Sequence, residues 1–225
     1  MTGADIPVVP ALGTAALGTA ALDAALDAAL GVLAAGGVVA IPTDTVYGLA
    51  VLPGHQEAVA ALFALKERPV DVALPVLVGD LEQVAEVAVP PSGPVAGLAR
   101  RWWPGPLTIV LERAPGFDAD LGGPPDRAST VGVRWPDHPF VAGLCRRAGP
   151  LAVTSANRHG APPCTSADQV VAAFSPGPAP DLVVDGGTCD GVPSTVVDCT
   201  GTAPTCLREG AVPWGDLEGE LRSGG

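Results

Sequence analysis

Leucines recur four apart at Leu22, Leu26 and Leu30 within an alanine-rich stretch, residues 14–35. Alanine favours helix, and a four-residue spacing keeps side chains near one face. The pattern predicts a helix stopped at Gly36-Gly37. Two apolar runs follow in "VVAIPTDTVYGLAV", Val38 to Val51, with Thr43-Asp44-Thr45 between them. Both runs predict buried strands. Hydroxyls and a carboxylate between buried strands cost about 1–3 kcal/mol each unless paired. This knot either pairs within itself in a tight corner or holds a ligand.

Further along, "QEAVAALFALKER" (Gln56 to Arg68) predicts an amphipathic helix stopped by Pro69. Residues 73–79, 107–113, 130–136 and 150–157 predict strands, and 81–88, 138–148 and 166–174 predict helices. Short strands are expected near 181–185, 194–199 and 205–208, and Pro90 to Pro106 reads as a proline-rich connection. Alternating strands and helices predict an α/β fold. The late strands are too closely spaced for a purely parallel sheet. The expected architecture is therefore a single domain with a twisted, mixed parallel and antiparallel sheet flanked by helices. Residues 1–13 are expected to be a flexible N-terminus, 14–213 the catalytic domain and 214–225 a C-terminal tail.

A chain of 225 residues suffices for one domain with a sizeable core. No apolar run reaches the roughly 18 residues needed to cross a membrane, and no basic segment precedes an apolar one at the N-terminus. These features lead to an expectation of a cytoplasmic protein. The five cysteines form no C-x-x-C pair and the three histidines stand singly, so no zinc spacing is present. A formal charge of −12 disfavours nonspecific nucleic-acid binding.

Eleven arginines accompany a single lysine, Lys66. Lys66 and Arg68 end a predicted helix, where cations either complement the helix dipole or form a phosphate clamp. Arg134 lies near a strand end, in position for a surface salt bridge or for the ligand edge of an α/β sheet. Thr154, Ser155 and Asn157 follow an apolar strand and either cap a turn or face a ligand. "STVVD" (194–198) and "LREG" (207–210) repeat this placement of polar groups beside strands. No G-x-x-x-x-G-K-[ST], G-x-G-x-x-G or G-x-S-x-G motif occurs. The usual P-loop, dinucleotide-fold and hydrolase-elbow chemistries are therefore not indicated.

"GGVVAIPTDTVYGLAV", "LKERPVD", "RWWPGPLTIVL", "VGVRWPDHP", "TSAN", "DGG", "STVVD" and "LREGAV" stand in the order seen in the YrdC-like family. The resemblance covers residues 30–213 and is to the short, single-domain form. It implies a nucleotidyltransferase that makes threonylcarbamoyl-AMP and pyrophosphate from L-threonine, bicarbonate and ATP, for tRNA N6-threonylcarbamoyladenosine. By that likeness Lys66 and Arg68 take phosphates, and Thr45, Arg134, Ser155 and Ser194 hold threonine. Thr130, Asn157, Thr165 and Arg208 line the nucleotide site, Mg2+ accompanies ATP, and partner proteins of tRNA modification are implied. Asp44 and Tyr47 brace the knot. The chain departs from the family pattern at Val72 and Leu77, where polar contacts are usual, and at Arg158-His159, which are candidates for a replacement cation or an altered lid. A paralogue using another carbamoyl or acyl adenylate, or a noncatalytic nucleotide- or RNA-binding protein, are the alternatives.

Overall fold

The computed structural model describes residues 6–11, 18–67 and 71–223. Alanine propensity produces the first long helix, α1 (Gly18–Ala34). Its inward stripe is Ala25, Leu26, Ala29 and Leu33, while Leu22 and Leu30 are only partly buried. A four-residue step overshoots one helical turn by about 40°, so leucines spaced by four drift off the buried face. Gly36 ends the helix at φ +79, and the Gly37 N–H donates to Val32 O at 2.9 Å.

Ten strands form one sheet: β1 (Val8–Pro10), β2 (Val39–Ile41), β3 (Gly48–Val51), β4 (Val76–Leu77), β5 (Leu107–Glu112), β6 (Thr130–Arg134), β7 (Leu151–Ser155), β8 (Leu182–Asp185), β9 (Thr195–Asp198) and β10 (Thr205–Arg208). Their spatial order is β1-β8-β2-β3-β7-β4-β6-β5-β9-β10. Pairings mix both senses: β2 is antiparallel to β3 and parallel to β8, and β5 is antiparallel to β6 and parallel to β9. The expected mixed α/β sheet is thus the observed one.

Strand alternation sends neighbouring residues to opposite faces. Val38, Ala40, Leu49, Val76, Ile109, Val133 and Val197 join one core. That core is closed by α2 (Gln56–Lys66), α3 (Val84–Val87), α4 (Gly93–Trp102), α6 (Ala167–Phe174) and α7 (Trp214–Ser223). Val39, Ile41, Ala50, Leu77, Val153 and Val184 face the other way, beneath α1 and α5 (Pro139–Ala148). This second core contains no residue of β5, β6, β9 or β10. Four of the ten strands therefore contribute nothing to the core beneath α1 and α5 among the described residues.

Three elements differ from the sequence expectations. Val8–Pro10, inside the segment expected to be flexible, pairs in parallel with Val183–Asp185. The proline-rich connection contains α4, with proline in its first turn, where the missing N–H costs nothing. The expected tail contributes α7, whose Leu217 is fully buried. Leu217→Ala is expected to lower stability to urea by about 2–4 kcal/mol, the range for a buried leucine truncation. A change below about 0.5 kcal/mol, within the range of surface substitutions, would mean that α7 does not dock.

Candidate active site

The polar knot between β2 and β3 pairs within itself and also reaches outward. Thr43 Oγ1 donates to Val46 O at 2.6 Å and accepts from the N–H groups of Thr45 (3.1 Å) and Val46 (3.2 Å). This is the local hydroxyl turn that threonine favours in corners. Tyr47 donates its phenol proton to Gly187 O at 2.8 Å and accepts from the Gly186 N–H at 3.1 Å. The Gly191 N–H donates to Thr45 O at 2.8 Å. The knot therefore anchors the connection from β8 to β9. Gly48 is required here, because a Cβ would come within 2.6 Å of Val153 Cγ1.

Arg134 ends β6 with its side chain buried. Its Nη2 pairs with Asp44 at 2.5 Å, its Nη1 donates to Thr45 Oγ1 at 2.9 Å, and its Nε donates to Gly105 O at 3.0 Å. The side chains are 7% and 14% exposed, so this is a buried ion pair rather than the surface salt bridge of the alternative reading. Burial pushes the Arg134 pKa down and Asp44 opposes that shift. Arg208 reaches back from β10: its Nε and Nη2 donate to Ser194 O at 3.1 and 2.8 Å, and Nη2 also donates to Ser194 Oγ at 3.1 Å. Its pKa is lowered first by burial and then by the positive charge of Arg134. Both guanidiniums remain protonated at physiological pH.

A cavity of about 170 Å³ opens between them, lined by Thr45, Leu77, Thr108, Arg134, Ser155, Ser194 and Arg208 among others. It lies on the sheet face that α1 and α5 cover only in part. Register explains the convergence. Leu77 pairs with Arg134 across β4 and β6, and the β5–β6 pairing of Ile109 with Val133, extended by one residue, sets Thr108 opposite Arg134. The hydroxyls of Thr108 and Ser194 lie 2.9 Å apart. Thr195, one residue on, turns away and accepts from the N–H groups of Gly210 (2.9 Å) and Val212 (3.1 Å), fixing the return after β10.

Lys66 stands beside this cavity at the C-terminal end of α2. Its Nζ donates to Ser155 O (2.6 Å), Ser155 Oγ (2.8 Å) and Asn157 Oδ1 (2.9 Å). Asn157 is fixed by donating its Nδ2 to Ala161 O at 2.6 Å and to Arg158 O at 2.9 Å. These three acceptors are oxygens of neutral groups. Arg68 lies outside the described residues. Thr165 is next to the knot, bonded to Gln169 Oε1, and its carbonyl accepts from the Cys189 N–H at 2.8 Å. Thr130 starts β6, four residues and about 13 Å from Arg134, on the same open face.

The structure thus brings Thr45, Arg134, Ser155, Ser194 and Arg208 around one cavity, with Lys66 and Asn157 adjoining. Thr130 and Thr165 do not line it. Arg158 pairs with Glu67 at 3.1 Å, donates to Ala173 O and stacks on Phe174. It braces α6 rather than supplying a replacement cation. Thr108 is a lining residue that sequence reading did not single out, and Thr43 lines the cavity as part of the knot. For Thr108 the only signal was one hydroxyl inside the apolar run "LTIVL".

Tyr47 is the chain's single tyrosine, and burial raises its pKa to about 12, with Asp185 adding to the shift and the Gly186 N–H opposing it. Its neutral form is favoured in the fold, so this contribution to stability is intact below about pH 10 and is lost as pH rises through about 12. Tyrosinate absorbance is expected to titrate near pH 12 in the native chain and about two units lower in the urea-unfolded chain. A native midpoint at the unfolded value would show the phenol to be solvated.

Comparisons with known proteins agree with this geometry. A family model for Sua5/YciO/YrdC proteins, described as "Telomere recombination", matches residues 31–210. A Mycobacterium tuberculosis protein is 39% identical over 185 residues, 82% of this chain and 83% of its own length. The threonylcarbamoyl-AMP synthase of Bacillus subtilis is 38% identical over 189 residues, 80% of this chain and 52% of its own. The chain thus spans about half of that longer relative. The structure of Pyrococcus abyssi Sua5 complexed with L-threonine superimposes with a TM-score of 0.78 at 32% identity, covering 95% of this chain and 60% of that one. Escherichia coli YciO shares the fold with a TM-score of 0.78 at 20% identity. By the span of the family match and the level of identity, the chain belongs to the Sua5/YciO/YrdC family.

Proposed function

We propose that the chain is a nucleotidyltransferase that makes L-threonylcarbamoyl-AMP, pyrophosphate and water from L-threonine, bicarbonate and ATP, for tRNA N6-threonylcarbamoyladenosine. The observation that carries this reading is the cavity itself: the buried Arg134 guanidinium, the more exposed Arg208 guanidinium and several hydroxyls converge there, with one carboxylate, Asp44, bound to Arg134. Such walls bind anions and orient hydroxyls. They suit a reaction in which the substrates attack one another and the protein supplies position and charge. Threonine's amine takes up carbon dioxide derived from bicarbonate, giving a carbamate. A carbamate oxygen then attacks the α-phosphorus, and the bond to pyrophosphate breaks.

Roles follow from placement. Thr45, Ser155 and Ser194 offer hydroxyls to threonine. Among the described residues Arg134 commits three N–H groups to Asp44, Thr45 and Gly105, which leaves two of its five for a carboxylate. The cavity of about 170 Å³ is smaller than the roughly 300–1,000 Å³ of typical drug-sized pockets. It suits the amino acid, and the nucleotide extends over the uncovered sheet face, with Arg208, Thr130, Asn157 and Thr165 along its border. Lys66, with Arg68, takes the phosphates. ATP would enter as its Mg2+ complex, the ion carried on the phosphate oxygens. The product is a reactive mixed anhydride, which calls for partner proteins that pass its acyl group to tRNA. No helix among the described residues is long and apolar enough to cross a membrane, and the substrates belong to the cytoplasm.

Pyrophosphate release is expected to require threonine and bicarbonate together. Release with a different amine alone would identify another adenylate as the product, and ATP binding without release would identify a noncatalytic protein. Lys66→Met is expected to lower kcat/KM for ATP by about 100-fold or more, the scale of losing one electrostatic donor. Arg134→Lys is expected to raise the KM for threonine by about tenfold, because an ammonium cannot reproduce the guanidinium fork. Near-wild-type constants in either variant would remove that residue from its role.

A further inference from the structure

The strands beside Arg134 present different groups to the cavity, with the Ser155 hydroxyl next to Val153 on the same face of β7. On one side of Arg134 stand Leu77 in β4 and Val153 in β7; on the other stand Thr108 and Ser194, their hydroxyls 2.9 Å apart. Leu77 and Arg134 are in register, which sets an apolar side chain directly beside the guanidinium. Adjacent strands lie about 4.8 Å apart, close to the width of a small amino-acid side chain. We propose that Leu77 is a specificity-determining residue that selects threonine by its β-methyl group, an inference resting on the synthase reading above. With the carboxylate on Arg134 and the amine turned to the cavity mouth, the two substituents of the threonine Cβ face opposite walls. The hydroxyl meets Thr108 and Ser194, and the methyl packs on Leu77.

Val153 contributes to the apolar wall but is held in place, since its Cγ1 occupies the position that a Cβ on Gly48 would need. Leu77 is 3% exposed and its other contacts are to the core beneath α1 and α5, so the atoms it presents to the cavity are backed by packed side chains. A rigid apolar wall discriminates by contact. A single methyl group in such a pocket is worth about 10- to 200-fold in kcat/KM.

The test compares L-threonine, L-serine and L-allothreonine as substrates for pyrophosphate release by the full chain. L-allothreonine exchanges the positions of methyl and hydroxyl at Cβ. The wild type is expected to prefer threonine over serine by about tenfold or more, and to use L-allothreonine no better than serine. Leu77→Ala is expected to reduce the threonine-to-serine ratio at least fivefold while leaving the KM for ATP within twofold. Leu77→Met keeps the volume and is expected to keep the ratio within twofold. Should Leu77→Ala fail to fold, Leu77→Val, which deletes less, is expected to reduce the ratio two- to threefold. An unchanged ratio in a folded Leu77→Ala or Leu77→Val that still makes product overturns the inference alone. A wild type that releases no pyrophosphate with any of the three amino acids overturns the synthase reading, and the inference with it.

Discussion

The buried charge of Arg134 ties the site to the fold. A guanidinium removed from water is tolerated only when its N–H groups are met. Here the partners of Arg134, at the end of β6, come from two other segments: Asp44 and Thr45 in the knot, and Gly105 before β5. Removing one partner of such a pair strands the other, typically at a cost of about 3–5 kcal/mol. The knot that forms one wall of the cavity is therefore also a clasp between distant parts of the sheet. Tyr47 and Thr45 extend that clasp to the β8–β9 connection, which delivers Ser194.

The uneven helical cover accounts for where the site lies. Helices α1 and α5 pack over six of the ten strands on one sheet face, and the cavity forms where that cover ends. On the covered side Leu77 and Val153 are apolar and Ser155 is polar, and on the open side stand a cation and hydroxyls, so the cavity has both characters. A chain of net charge −12 thus contains a positively charged recess. The contrast favours small anionic substrates inside while the outer surface repels polyanions.

Much of this was legible in the sequence where local rules apply. Helix α2, the strands flanking the knot and the mixed sheet followed from periodicity and spacing. Lys66 stood out as the chain's single lysine, and its contacts with Ser155 and Asn157 lie beside the cavity. What sequence could not supply was pairing over distance. Arg134 and Asp44 are separated by 90 positions, and nothing local to either one names the other as its partner. Strand β1 exists only because β8 offers an edge to it. Thr108 reads as an ordinary strand former, since threonine favours strands for its branching whether or not its hydroxyl is used. Helix α4 was obscured by prolines that break a helix interior but suit its first turn.

The central claim is that one recess seats an amino acid against the α-phosphate of ATP, with Arg134 on its carboxylate. A crystal structure of the chain with L-threonine and a nonhydrolysable analogue of MgATP tests this most directly. The account expects threonine between Leu77 and Ser194, its carboxylate within hydrogen-bond distance of Arg134, its amine facing the α-phosphate, and Lys66 beside the phosphates. Threonine and nucleotide in separate, unconnected positions, or threonine bound away from Arg134, would contradict it.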